Sequence, residues 1–260
     1  MSGSISIYSF IPVRKEPSEA AELVTQILFG ETFMVLDRIE KWARIKMDFD
    51  GYEGWIDAKL VFSVGNREYE LWKDADAWMV PTPKIKIVKD GSTAPLTISA
   101  GSRIVFNGHD RNSFSIGKND YFVSGPLPSS KELGIREVAT SLLHTPYLWG
   151  GRSYFGIDCS GLTQIVYKIN GIALPRDAYQ QIEQGNIINF VEEAQAGDLA
   201  FFDNEEGSIS HVGICLGSGT IIHAYGEVRI DTLDHQGIYN RDTNKYSHKL
   251  RVIKRIIPEK

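Results

Sequence analysis

The chain is poor in cysteine: it has two, Cys159 and Cys215, in 260 residues. With no C-x-x-C spacing, they exclude a disulfide framework and argue against a cysteine-rich metal or dithiol redox motif. Lysine and arginine nowhere form a dense block, and the net charge is −5. Nucleic acid and an anionic membrane surface are therefore not the expected partners. No stretch approaches the ~20 consecutive apolar residues of a membrane span. Met1–Phe10 lacks the basic region, apolar core and small-residue cleavage site of an export signal. The expected location is the cytoplasm, or the periplasm if a leader was trimmed. No cofactor or metal is expected, and the expected state is a monomer.

A length of 260 residues suits two or three domains. The expected boundaries are 1–62, 63–125 and 126–260. In the first segment, short apolar runs at Val24–Phe29, Phe33–Asp37, Trp42–Met47 and Gly54–Val61 are separated by turn signals at Gly30-Glu31 and Asp50-Gly51. Asp-Gly between β-prone runs marks a hairpin. Several short strands at this spacing predict a small all-β barrel. In the second segment, strands are expected at Ala77–Val80, Ile85–Val88, Leu96–Ile98, Arg103–Asn107 and Ser113–Ile116, with no chemistry attached. Ser124–Ser130 reads as a linker.

The third segment is organised around Gly156-Ile157-Asp158-Cys159-Ser160-Gly161-Leu162. The apolar positions Leu162, Ile165, Val166 and Ile169 predict a helix with Cys159 in its first turn. Unpaired N–H groups and the positive end of the helix dipole gather there and favour a thiolate, the nucleophilic form of cysteine. A helix is also expected from Ser130 to Leu143, stopped by Pro146, and another near Leu174–Gln181. Strands are expected at Gly197–Phe202, Ser210–Leu216 and Thr220–Tyr225. Helices followed by strands predict an α+β domain with helices packed on an antiparallel sheet.

A thiol nucleophile needs a base, and the base needs a group that orients it. His211 and His223 stand 12 residues apart on consecutive strands separated by Gly217-Ser218-Gly219. Antiparallel neighbours lie ~4.8 Å apart, so two rings on one face can meet. Cys159 is the expected nucleophile, His211 the base and His223 the orienting group. The Cys159 amide and the Tyr147 hydroxyl are candidate donors to a developing oxyanion. Against this stand plainer uses. Cys159 could be a packed core cysteine, either histidine could be structural, and Asp158 could merely cap the helix. Tyr52 could belong to the barrel rim. Zinc on Cys159, His211, Cys215 and His223 is disfavoured, because His211 and Cys215 on one strand stand ~13 Å apart. Cys215 is expected in the core. His109, His144, His235 and His248 show no partner pattern and are expected to be structural or exposed.

Two resemblances add to this. Arg14-Lys15-Glu16-Pro17-Ser18, Gly30-Glu31, Trp42-Ala43-Arg44-Ile45 and Asp50-Gly51-Tyr52-Glu53-Gly54-Trp55-Ile56 resemble a bacterial SH3-like domain. The second segment follows the same rhythm, as a divergent second copy. Tyr147-Leu148-Trp149-Gly150-Gly151, Asp158-Cys159-Ser160-Gly161-Leu162, Pro175-Arg176, Gly197-Asp198-Leu199, His211-Val212-Gly213-Ile214 and Ile222-His223-Ala224 resemble the NlpC/P60 cysteine peptidases. The resemblance implies a papain-like α+β catalytic domain preceded by two SH3-like barrels. It also implies cleavage of murein peptides between γ-D-glutamate and a diamino acid, meso-diaminopimelate or L-lysine, with Cys159, His211 and His223 as the triad and Tyr147 at the oxyanion. SH3-like modules ahead of such a domain resemble the subgroup that takes L-Ala-γ-D-Glu-diamino acid peptides with a free alanine amine. By position, Glu16, Tyr52 and Asp158 would hold the amine, and Ser160 and Arg176 the free α-carboxylate of the glutamate. Relatives often carry a serine where this chain has Ala178, which removes one ligand hydrogen bond. The alternatives are an amidase or acyltransferase on another acyl donor, and a wall-binding module with a dead catalytic fold. Dead versions usually lose the cysteine or a histidine, and this chain keeps them.

Overall fold

The first six strands are β1 (Ser2–Ile5), β2 (Phe10–Arg14), β3 (Leu23–Leu28), β4 (Thr32–Ile39), β5 (Trp42–Met47) and β6 (Glu53–Asp57). They come from a computed structural model that describes residues 2–108, 111–128 and 133–256. His109, and the start of the helix expected at Ser130, lie outside the described residues. Packing divides the chain into two units, residues 1–132 with 149–155, and residues 133–148 with 156–260.

In the first unit the six strands form one antiparallel sheet in the order β1-β4-β5-β6-β2-β3. β2, β5 and β6 alternate buried side chains with more exposed ones, and β3 is buried along its last four residues. The inward residues of β2 to β6, among them Val13, Ile27, Phe33, Ile45 and Ile56, meet in a single cluster. A sheet whose strands share one interior must wrap on itself, which is how so short a segment removes its edges from water. Asp50-Gly51 makes the β5–β6 turn, with Gly51 at φ 72°.

The next segment departs from the expected second barrel. Helix α1 (Asn66–Asp74) comes first. It escaped the sequence reading because it buries only Tyr69 and Trp72 and is otherwise charged or exposed. Then follow β7 (Trp78–Met79), β8 (Lys84–Lys89), β9 (Leu96–Ser99), β10 (Arg103–Ile104), β11 (Ser113–Ile116) and β12 (Asn119–Ser124). They make an open sheet, β11-β12-β8-β9, and a separate β10-β7 ribbon. Ile5 and Phe29 of the first barrel enter the same apolar cluster as Trp72, Ile98 and Phe114.

Residues 149–155, including β13 (Arg152–Ser153), pack into this unit. Arg152 is fully buried; its Nη1 donates to Glu31 Oε2 at 3.0 Å and to the Gln26 carbonyl at 3.1 Å. The Trp149 indole donates to Glu22 Oε1 at 2.8 Å. Gly150 has φ +75°, and a Cβ there would overlap the Leu23 carbonyl oxygen. This glycine serves a close backbone approach within the unit.

The second unit contains α2 (Ile135–Ser141), β14 (Gly156–Ile157), α3 (Cys159–Ile169) and α4 (Ala178–Gln181). Its strands are β15 (Asn186–Ile188), β16 (Leu199–Asp203), β17 (Ile209–Gly217), β18 (Thr220–Tyr225), β19 (Glu227–Asp234), β20 (Gly237–Asn240) and β21 (Lys245–Arg255). The sheet order is β15-β21-β16-β17-β18-β19-β20. β21 pairs with β16 and also with β20, so β16 to β21 form an unbroken ring of antiparallel pairs. Ala200, Cys215, Ile221, Leu233, Ile238 and Ile253, one from each ring strand, form a single buried cluster inside it. α3 packs outside, against β17 and β18. Its Leu162, Ile165 and Val166 are buried, and the helix ends at Asn170 followed by Gly171 at φ 77°.

Candidate active site

The interior of the ring changes character along its strands. Moving from the apolar cluster, β17 runs Cys215, Gly213, His211; β18 runs Ile221, His223; β19 runs Leu233, Asp231; β21 runs Leu250, His248. Side chains two apart in a strand share a face. The oily interior therefore gives way to a polar end made of three imidazoles and a carboxylate.

His211 Nε2 and His223 Nδ1 are 2.9 Å apart. His223 Nε2 lies 3.0 Å from Asp231 Oδ2. Arg229 in turn clamps Asp231 by two bonds, Nε to Oδ2 at 2.6 Å and Nη2 to Oδ1 at 2.9 Å. His248 stacks on His211, ring centres 4.0 Å apart and planes 22° from parallel, and Phe202 packs against both rings. Gly213 makes the pairing possible. A Cβ there would stand 3.0 Å from His223 Cβ and 2.7 Å from Ile221 Cδ1, displacing the ring that His211 needs.

Cys159 opens α3, and its sulfur interacts with the backbone of Val212, the residue after His211. It is 8% exposed. Burial, followed by the Asp158 charge, pushes the thiol up to about 12, while the backbone of Val212 and Ser160 and the charge of Arg176 pull it down. The helix terminus alone favours the thiolate; enclosure reverses that. Burial, then His248 and His223, holds His211 well below its ordinary value. Both shifts favour the uncharged forms, a thiol and a neutral imidazole. Tyr147 is near enough that Cys159 and Asp158 raise its phenol, already lifted by burial, to about 12. It stays protonated and can donate.

Asp158 caps α3, accepting from the Gly161 N–H at 2.7 Å. It also takes Arg176 Nη1 on Oδ1 at 3.0 Å and Nη2 on Oδ2 at 2.6 Å. Arg176 Nη1 reaches Ser160 Oγ at 2.9 Å as well. These three residues, which the sequence assigned to two ends of a ligand, are bonded to one another and buried. Ala178 begins α4 directly after them. In the first unit, Glu16 is exposed in the bend after β2. Tyr52 is half-buried against the barrel core, its N–H on Asp50 Oδ1 at 3.0 Å.

Cys215 lies in the apolar interior. Nitrogens of His211, His223 and His248 fall within 4.8 Å of one another. Zinc needs nitrogens that converge at ~2.0–2.1 Å. Here two rings are stacked, so their lone pairs lie in nearly parallel planes, and the two nitrogens of the third meet His211 and Asp231. The set suits proton movement better than metal binding. His248, Asp231 and Arg229 were not singled out from sequence. Asp231 had a usable signal, a charged residue at an inward position of the strand after His223. His248 had none, because its place depends on pairing between β21 and β16.

Buried neutral histidines make the fold acid-sensitive. Burial lowers His211 and His223, and it takes His248 down to about 4. The unfolded chain binds their protons first, near pH 6.5, so the stability they give is complete above that pH and is lost as pH falls from 6.5 towards the folded values. Asp231, lowered to about 2 by His223 and Arg229 against burial, adds a second loss between about pH 4 and 2. Stability measured by urea unfolding is expected to be flat from pH 8 to 7 and to fall by about 2–4 kcal/mol by pH 5. His248→Gln should flatten that slope.

The profile described as NlpC/P60 family matches residues 144–247, and that of the bacterial dipeptidyl-peptidase SH3 domain matches residues 13–59. The gamma-D-glutamyl-L-lysine dipeptidyl-peptidase of Bacillus subtilis is 30% identical over 77% of this chain and 71% of its own. Dipeptidyl-peptidase 6 of Lysinibacillus sphaericus is 30% identical over 87% of this chain and 90% of its own. A crystal structure of an NlpC/P60 family protein from Bacillus cereus shares the fold, with a TM-score of 0.82 at 23% identity over 99% of this chain and 100% of that one.

Proposed function

The chain belongs to the NlpC/P60 family of cysteine peptidases, and from that premise we propose that it removes L-Ala-γ-D-Glu from murein peptides by cutting the bond to a diamino acid. The observation that carries the proposal is the set formed by Cys159 at the head of α3, against the strand of His211, and the 2.9 Å contact of His211 with His223. The names of the relatives support the γ-D-glutamyl–lysine bond and the dipeptide product.

In this reading His211 takes the Cys159 proton as the sulfur attacks the γ-carbonyl carbon. The oxyanion is met by the Cys159 N–H and the Tyr147 hydroxyl. Collapse breaks the C–N bond, and His211 returns the proton to the leaving α-amine. Water, deprotonated by His211, then splits the thioester and restores the thiol. Glu16 and Tyr52 enter as ligands of the alanine amine on sequence resemblance. Residues 63–125 enter as a divergent SH3-like module, supported by length and hairpin rhythm.

The test compares L-Ala-γ-D-Glu-L-Lys with its N-acetyl counterpart. Free lysine is expected from the first, and at least ~10²-fold more slowly from the second, whose blocked nitrogen cannot form the charge-assisted bonds of an ammonium. Equal rates would remove the requirement for a free amine. No lysine from either would remove the peptidase reading and favour transfer from another acyl donor.

A further inference from the structure

Asp231 is buried, projects into the polar end of the ring, and meets both an arginine and the second histidine of the candidate triad. We propose that Asp231 is a positioning residue that fixes which nitrogen of His223 and of His211 carries the proton, so that Nδ1 of His211 is left as the accepting base. The proposal rests on the peptidase reading for its kinetic consequence, but not for the proton arrangement itself.

An ionised carboxylate only accepts, and a neutral imidazole has one N–H and one lone pair. The two bonds from Arg229, with Arg229 also paired to Asp242 at 2.8 Å, keep Asp231 ionised. His223 must therefore place its N–H on Nε2, towards Asp231 Oδ2 at 3.0 Å. Its Nδ1 is then an acceptor. His211 Nε2, 2.9 Å away, must supply the hydrogen to it. That leaves His211 one lone pair, on Nδ1. When Nδ1 takes a thiol proton, the positive charge on His211 is stabilised through His223 by a carboxylate. Both histidines keep their Nε2 hydrogens throughout, and only the thiol proton moves.

The titratable and charged groups around this chain agree with that order. His223 faces His211 from β17 and Asp231 from β19, with Arg229 of β19 behind the carboxylate. Tyr225 stacks near it at 6.4 Å between ring centres, on the same strand. His248 of β21 covers the face of His211 and stands edge-on to His223, its centre 5.8 Å away. Its Nδ1 is 2.8 Å from Ser247 Oγ. Among these described groups, Asp231 is the anion in hydrogen-bond contact with the pair.

An amide at position 231 cannot reproduce this. It presents one N–H₂ edge, which must confront either an N–H of Arg229 or the N–H of His223. Asp231→Asn is expected to lower kcat by roughly 10²-fold or more with KM little changed, the behaviour of a triad that loses its orienting carboxylate. Alkylation of Cys159 by iodoacetamide should slow in parallel, a readout that needs no peptide substrate, and Asp231→Glu should restore part of both. The direct measurement is ¹⁵N NMR of the wild-type chain labelled at histidine, near pH 7.5. His223 and His211 are both expected to be protonated on Nε2 and bare on Nδ1. His223 protonated on Nδ1 would overturn the proposal whether or not the variant folds. So would a folded Asp231→Asn protein with kcat within about twofold of wild type. A chain with the expected NMR pattern and alkylation behaviour that cleaves no murein peptide would retain the proton arrangement and lose the substrate reading.

Discussion

Replacing Cys159 with alanine is expected to lower kcat/KM for L-Ala-γ-D-Glu-L-Lys by at least ~10⁴-fold, because nucleophile and base act as a unit and losing either removes most of the catalysis. Stability should change by about 1 kcal/mol or less. The side chain loses one sulfur atom, and the Asp158 cap on the Gly161 N–H lies elsewhere on the helix end. Cys215→Ala gives the contrasting pattern. Cys215 is buried in the apolar interior of the ring with Ile221 and Leu233, so its loss should cost stability and leave kcat near wild type. Kinetics and urea unfolding on the two variants separate the reactive cysteine from the packed one. Residual turnover above ~1% in Cys159→Ala would assign the chemistry to another group.

Arg176→Leu is expected to destabilise the second unit by about 3–5 kcal/mol, the usual cost of stripping one partner from a buried ion pair. Arg176 is 2% exposed, and its guanidinium makes two bonds to Asp158 and one to Ser160. Without it the buried Asp158 carboxylate keeps its cap on the Gly161 N–H but loses its cation, at the head of α3 and one residue before Cys159. Asp158→Asn together with Arg176→Leu should recover part of the loss, because asparagine still caps the helix and carries no charge. A urea midpoint for Arg176→Leu within about 1 kcal/mol of wild type would show that the pair contributes little. Activity should fall with stability, since Asp158 sets the first turn that presents Cys159.

The place of Cys159 at the head of α3 was legible because its signal is local: a cysteine between small polar residues, then apolar positions at helical spacing. The histidine pair was legible because a tight glycine turn joins its two strands, which brings residues 12 apart into contact. The first barrel was legible from Asp50-Gly51 and the runs on either side. What escaped depends on contacts distant in sequence. His248 reaches His211 only because β21 pairs with β16, about fifty residues earlier, and closes the ring. The pairing of Arg176 with Asp158 was not foreseen because each residue, taken alone, looks like a ligand for substrate charge. Helix α1 was missed because too few of its residues are apolar to show a period. The second β segment was expected to close and does not; part of its apolar surface is covered by Ile5 and Phe29 of the first barrel.

The most direct measurement is covalent capture by a substrate-shaped electrophile. A chloromethyl ketone built on L-Ala-γ-D-Glu puts a reactive carbon beside the carbonyl that the account assigns to the Cys159 sulfur. Intact-mass analysis and peptide mapping are expected to show one adduct per chain, on Cys159, with the α-linked L-Glu isomer reacting at least ~10²-fold more slowly. Modification of Cys215, or equal labelling by the two isomers, would contradict the account.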